Sequence, residues 1–270
     1  MNFVVKVIMQ NNKYEFKQEY DTSINIIGSI KELDTIINLL KAELYPDLYD
    51  KEKVKQELDI RSEKSISRIE HGVRKAFLSF KDEDHEKFIY KLFGKQLSKF
   101  DMAFILYWQF LVINPLFREI TEEVFVKYYF DGRAYIDSED ILGFIIELKK
   151  ERKEIDWSES TLKIIANKYL NLMTKLGFIE KEGRKLTFSY LSMSPNMQIL
   201  LLYFSRFYPP FSEGRLSNAL AKLSFMPEED LVQRYKVLSK EGWFNMSYNG
   251  EFISIDFNND IESVIDALFE

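Results

Sequence analysis

The sequence predicts a mainly α fold, a helical bundle that also carries short β-hairpins. Three observations point there. Apolar residues recur at spacings of three and four along most of the chain, the pattern of amphipathic helices. Gly and Pro are scarce, 10 and 6 of 270 residues, which argues against collagenous, glycine-loop and turn-dense all-β proteins. Twice, a helical run ends at a glycine and short strand-like runs follow around a tight turn.

Residues 3–8, near the start of the chain, read as a short strand. From Ser29, a helical face forms from Ile30, Leu33, Ile36, Ile37, Leu40 and Leu44, and Pro46 stops it. Residues 50–80 hold two further helical segments. Residues 84–97 and 99–113 hold two more, separated near Gly94. The second is apolar on nearly every side, as expected at the centre of a bundle. Its apolar stretch, 102–113, contains Gln109 and is shorter than the roughly 20 residues that span a bilayer. Asn114 and Pro115 break it. Residues 119–130 and 137–151 are again helical, joined by a turn at Asp131 and Gly132.

The next segment is the most readable. Trp157, Ser158, Glu159, Ser160 and Thr161 form a helix start, with small polar caps and an acid in the first turn. The helix places Leu162, Ile165, Ala166, Tyr169, Leu172, Met173 and Leu176 on one face. Gly177 stands where a left-handed cap is expected. Residues 178–188 then read as a hairpin with a charged tip at Gly183. Helix, helix, hairpin is the order of a winged helix-turn-helix. A weaker echo follows: a helix over 228–240, Gly242, and a hairpin around Asn249 and Gly250. Trp157 and Trp243 are expected to anchor the two units to the core. The expected division is a helical bundle over 1–132, a winged-helix-like segment over 133–208, and a C-terminal helix and hairpin unit over 209–270.

Composition narrows the chemistry. The chain has no Cys and 2 His. That excludes disulfides, thiolate catalysis and Cys-based metal sites. No phosphate-cradling, zinc-protease or nucleophile-elbow motif is present. Residues 82–86, Asp-Glu-Asp-His-Glu, read as a solvated run at a helix start rather than a cation site. No catalytic residue, metal or cofactor is expected. Nothing at the N-terminus reads as a signal peptide, so the expected setting is cytoplasmic, without a membrane.

Net charge is −6, but it is unevenly spread. Residues 149–185 hold 10 Lys or Arg and 6 Asp or Glu, a local +4. Residues 61–75 hold 5 Lys or Arg and 2 Glu, a local +3. Residues 211–270 are the reverse, with 5 Lys or Arg and 11 Asp or Glu. Fields act only over about a Debye length of 8–10 Å, so an acidic protein can still bind phosphates locally.

Two candidate nucleic-acid surfaces follow. In the first, Arg61, Lys64, Arg68, His71 and Arg74 or Lys75 recur at three and four and share a helix face that could track phosphates. The competing reading is a solvated face paired with Glu63 and Glu70. In the second, the helix after Ser158 offers Ser160, Lys163, Asn167, Asn171 and Thr174 to solvent, and Lys181, Arg184 and Lys185 sit on the wing. Asn and Lys can reach base edges, and wing cations can reach the backbone. The competing reading is a protein-interaction module with an ordinary polar face.

The order of elements resembles a known family. It runs from a polar opening at residues 14–20, through a Ser- and Arg-rich helix at 62–68, to the apolar helix at 104–113. Then come Trp157, Ser158, Ser160 and Thr161, and a helix ending at Leu176, Gly177, Phe178 and Ile179. This resembles the BrxA family of BREX bacteriophage-exclusion systems, over about residues 14–269. The resemblance implies a NusB-like helical protein, NusB being an RNA-binding antitermination factor. It also implies a non-enzymatic role in a phage-defence locus, association with DNA, and other BREX defence proteins as partners. It carries no set of binding residues, so the candidates above rest on charge and helix faces. The expected function is non-catalytic binding of duplex DNA. The rival is a protein–protein scaffold.

Overall fold

The apolar helix near the middle of the chain organises the molecule. In the computed structural model, which describes residues 19–57, 62–208, 216–249 and 253–270, this helix is α6 (Lys99–Ile113) and every side chain from Met102 to Val112 is buried. The expected strand at 3–8, Arg61 and Gly250 lie outside the described residues.

A fully buried helix must satisfy its polar atoms internally, and α6 does. Trp108 donates to the Leu223 carbonyl at 3.0 Å and Tyr107 to that of Lys222 at 3.0 Å. The Gln109 amide donates to Phe77 and Ser79 carbonyls, each at 3.0 Å. Its oxygen accepts from His85 Nε2 at 2.6 Å, while the Lys81 N–H donates to His85 Nδ1. Burial holds the His85 ring neutral, with its pKa lowered to about 4. The 82–86 run is therefore a helix start: Asp82 caps α5 (Glu83–Phe93), and His85 is a core residue.

Around α6 pack α2 (Leu33–Leu44) and α4 (Glu63–Phe77), and α3 (Lys51–Glu57) lies on α2. The helix expected from Ser29 starts only at Leu33. A separate short helix, α1 (Ser23–Ile27), precedes it. This helix is wedged between α4 and a later helix, and two glycines allow it. A Cβ on Gly72 of α4 would lie 2.6 Å from the Ile26 side chain, and one on Gly28 would lie 2.2 Å from the Lys168 carbonyl oxygen.

At Asn114 the chain turns by 112°. The Asn114 side chain caps α7 (Pro115–Ile120), accepting from the Phe117 N–H at 2.7 Å. Pro115 stands at the first position of that helix, where its missing N–H costs nothing. The helical path continues through a π-helical stretch, Thr121–Val126, into α8 (Lys127–Phe130). The helix expected at 119–130 thus begins four residues earlier, while the one expected at 84–97 stops at Phe93. Among the described residues, no single helix is long and apolar enough to cross a membrane.

The segment expected as a winged helix has β1 (Tyr135–Ile136), α9 (Ser138–Glu151), α10 (Glu159–Lys175), and β2 (Ile179–Glu182) and β3 (Lys185–Phe188) as the hairpin expected to be its wing. The strands form an antiparallel sheet in the order β1-β3-β2. The C-terminal part has α11 (Pro195–Phe204), α12 (Leu216–Ser224), α13 (Glu228–Lys240), the hairpin β4 (Asn245–Tyr248) and β5 (Ile253–Asp256), and α14 (Ile261–Leu268). A continuous hydrophobic core runs from Ile24 to Leu268, and Trp157 and Trp243 pack against it.

Candidate nucleic-acid interface

Local sequence builds the segment from β1 to β3. Asp137 accepts from the N–H groups of Glu139 and Asp140, and Asp140 accepts back from Asp137, a capping box that starts α9. Ser158 caps α10 by accepting from the Thr161 N–H. At the other end Phe178 donates to the Met173 carbonyl and Gly177 to that of Thr174, both at 3.0 Å. Gly177 has φ +78°, the left-handed position of a Schellman cap. Phe178, fully buried, then locks the wing against the rings of Phe104, Tyr107 and Phe225 at 5.0–5.4 Å. Glu182 pairs with Lys185 across a tight turn, with Gly183 at φ +62°.

The faces of α10 fall as the spacing predicts. Leu162, Ile165, Ala166, Tyr169, Leu172, Met173 and Leu176 are buried, while Ser160, Lys163, Asn167, Asn171 and Thr174 are exposed. Three of the polar side chains are occupied locally, and Thr174 Oγ1 donates to the Leu170 carbonyl at 2.9 Å. Ser160 Oγ lies 2.8 Å from Ser158 Oγ, and the Asn167 amide donates to the Lys163 carbonyl.

Beside the C-terminal half of α10 lies a groove. One wall is the turn between α1 and α2, the other is the wing, and the N-terminus of α6 closes one end. Lys31, Lys99, Lys168, Lys175, Lys181 and Arg184 line it, together with Asn171 and Thr174, against a single carboxylate, Glu32. Lys99 is paired with Asp34 at 2.7 Å. Lys163, Lys168, Lys181 and Arg184 have no ion-pair partner among the described residues. Cations elsewhere on the bundle are mostly neutralised: Arg74 by Glu43 at 2.8 Å, Lys75 by Asp21 at 2.7 Å and Lys222 by Glu122 at 2.8 Å.

The structure therefore unites Lys181 and Arg184 with the C-terminal end of the exposed α10 face. Ser160, Lys163 and Asn167 share that face but lie outside the groove. Lys185 is turned away and lies 4.5 Å from the Tyr135 ring centroid. Its neighbour Leu186 pairs with Lys181 and lines the groove, as alternation along a strand requires. Lys64 and Arg68 are exposed on α4 without ion pairs among the described residues, and neither lines the groove.

Sequence reasoning missed Lys31, Lys99, Lys168 and Lys175 as site residues. Lys168 and Lys175 belong to the basic run at 149–185, but their place depends on Gly28. Burial, and then the nearby Lys168 charge, lowers the Lys175 pKa to about 8. Its ammonium donates to the Ile27 carbonyl at 3.0 Å. Among the described residues, no group of three or more His, Asp or Glu is placed to hold a metal ion.

The model of one protein family, BrxA, matches residues 28–201. That span covers every residue lining the groove and ends within α11. No curated protein and no solved structure matches the chain.

Proposed function

The chain belongs to the BrxA family, and we propose that, as a component of a BREX phage-defence system, it binds nucleic acid without catalysing a reaction, with duplex DNA as its ligand. The observation that carries this reading is the basic groove between α10, the wing and the α1–α2 turn. Lys168, Lys175, Lys181 and Arg184 line it without an ion-pair partner among the described residues, beside Lys31 and the Asp34-paired Lys99, on a chain whose net charge is −6. Concentrating cations in one groove costs self-repulsion, which a polyanion relieves.

The reading treats β1 to β3 as a winged helix. The sheet order β1-β3-β2, with α9 and α10 between β1 and β2, supports it. Phosphate contacts from Lys168, Lys175, Lys181 and Arg184 position the duplex. Lys163 and Asn171 on the exposed α10 face are the side chains with reach to base edges. The 133–208 segment serves as the binding unit, and none of the described residues of the acidic 209–270 segment lines the groove. Replacing Lys181 and Arg184 together by Ala lowers both the affinity for DNA and its salt slope. A gel-shift salt series in which neither changes removes the wing from the site.

A second reading has its own observation. Phe130, Tyr190, Met226, Pro227 and Val237 line an open groove beside Phe225, and Tyr190 is 89% exposed. Exposed clusters of large apolar groups mark protein contacts. Under this reading the chain is a scaffold that docks other BREX defence proteins there.

A further inference from the structure

Most lysines keep their ammonium in water. Lys175 does not. It sits half-buried at the floor of the basic groove, where α1 lies against α10. The contact is tight enough that only glycine fits at position 28, against the Lys168 carbonyl. The Lys175 ammonium donates to the Ile27 carbonyl at 3.0 Å, its one hydrogen bond among the described residues. It has no ion-pair partner among the described residues. The charges around it are mostly of its own sign: Lys168 on the same helix, Lys31 on the turn, Lys99 on α6, and Lys181 and Arg184 on the wing. Glu32 of the turn opposes them, and Asp34 of α2 is paired with Lys99 at 2.7 Å. A partly desolvated cation without a counter-charge is stabilised when an anion completes it.

We propose that Lys175, flanked by Lys168, is the seat for one phosphodiester of the bound nucleic acid, and that filling this seat takes up a proton. The seat rests on the groove being the nucleic-acid interface, and it adds which phosphate contact is coupled to protonation. In the free protein, burial and Lys168 hold the Lys175 ammonium to a pKa of about 8. A phosphodiester against it supplies the missing opposite charge and raises that value toward the ordinary lysine range. Between the two values the complex binds more protons than the separate partners, so affinity falls as pH rises.

The test is fluorescence anisotropy of the full chain with a short labelled duplex DNA, at constant ionic strength, at about pH 7 and about pH 9. The expected result is binding about tenfold weaker at the higher pH. Lys175→Arg, which keeps its charge throughout, should bind at both pH values with a flat profile. That variant also separates Lys175 from the terminal amine, whose ordinary pKa of about 8 falls in the same interval. If the variant fails to fold by circular dichroism, calorimetry of the unmodified protein decides. In two buffers of different ionisation enthalpy at about pH 8, roughly half a proton should be taken up per duplex bound. Binding that is equal at both pH values, with no proton uptake, overturns the seat and leaves the proposed function standing. Absence of DNA binding at either pH overturns both.

Discussion

Two units of this chain share one local plan and present opposite fields. In the first, α10 runs to Gly177 at φ +78°, and β2 and β3 follow; in the second, α13 runs to Gly242 at φ +89°, and β4 and β5 follow. Each hairpin is pinned by a fully buried phenylalanine, Phe178 or Phe244. Beyond that they diverge. The first gains β1 as a third strand, and its wing cations meet Lys168 and Lys175 in a groove. The second stays two-stranded. Its Lys236 lies over the Tyr248 ring at 5.0 Å, and α13 opens with Glu228, Glu229 and Asp230. Caps, glycines and a buried ring thus set the shape of a helix and hairpin unit. The ligand class is set by what distant elements bring beside it.

The largest expected effect tests the shared part of the plan. Phe178→Ala should cost about 5 kcal/mol and Phe244→Ala about 3 kcal/mol in urea unfolding. Both rings are fully buried, but Phe178 packs against three other rings and Phe244 against that of Tyr235. Equal costs would mean that the two anchors do not differ in packing.

Gly28→Ala probes the wall that only the first unit has. A methyl group there meets the Lys168 carbonyl, so α1 must move. The expected cost is about 3 kcal/mol, measured by thermal unfolding, together with weaker DNA binding. Unchanged stability would mean that α1 can shift off α10 without cost.

Charge removal sharpens the divergence. Lys181→Ala with Arg184→Ala should lower the salt slope of DNA binding by about 2, close to 0.9 for each phosphate no longer neutralised. Lys236→Ala with Lys240→Ala in the second unit should leave it unchanged. Lys185→Ala should fall between, because its ammonium is held over Tyr135. Equal slopes for the two double variants would erase the contrast.

The smallest effect is a control within the first unit. Gly143 is exposed in the middle of α9, and a Cβ there meets nothing within 4 Å. Gly143→Ala should raise stability by about 0.5–1 kcal/mol and leave DNA binding unchanged.

What the sequence makes legible follows the range of the interactions. The start, faces and end of α10 can be read because caps and core spacing lie within a few residues of one another. The Ser158 cap, Gly177 and the hairpin within 178–188 all fall where the sequence places them. The groove cannot be read in this way. Lys175 reaches the Ile27 carbonyl across 148 positions, and the Gly28 contact that positions it has no local signature. Lys31 and Lys99 look like ordinary surface lysines until α1, α2 and α6 are packed. α11 escapes the periodicity argument because it is buried on every side from Met197 to Phe204, which leaves no polar face to mark the helical period. The α4 stripe shows the converse. Lys64 and Arg68 share an exposed face as their spacing requires, but spacing alone does not bring a helix face to a groove.

The most direct test of the central claim is fluorescence anisotropy of the full chain with duplex DNA, duplex RNA and single strands over about 50–200 mM salt. The predicted result is binding to duplex DNA that weakens steeply with salt, with a shallower slope in the Lys181 and Arg184 double variant. No binding to any of these at the low-salt end would contradict it and make the open groove beside Tyr190 the primary functional surface.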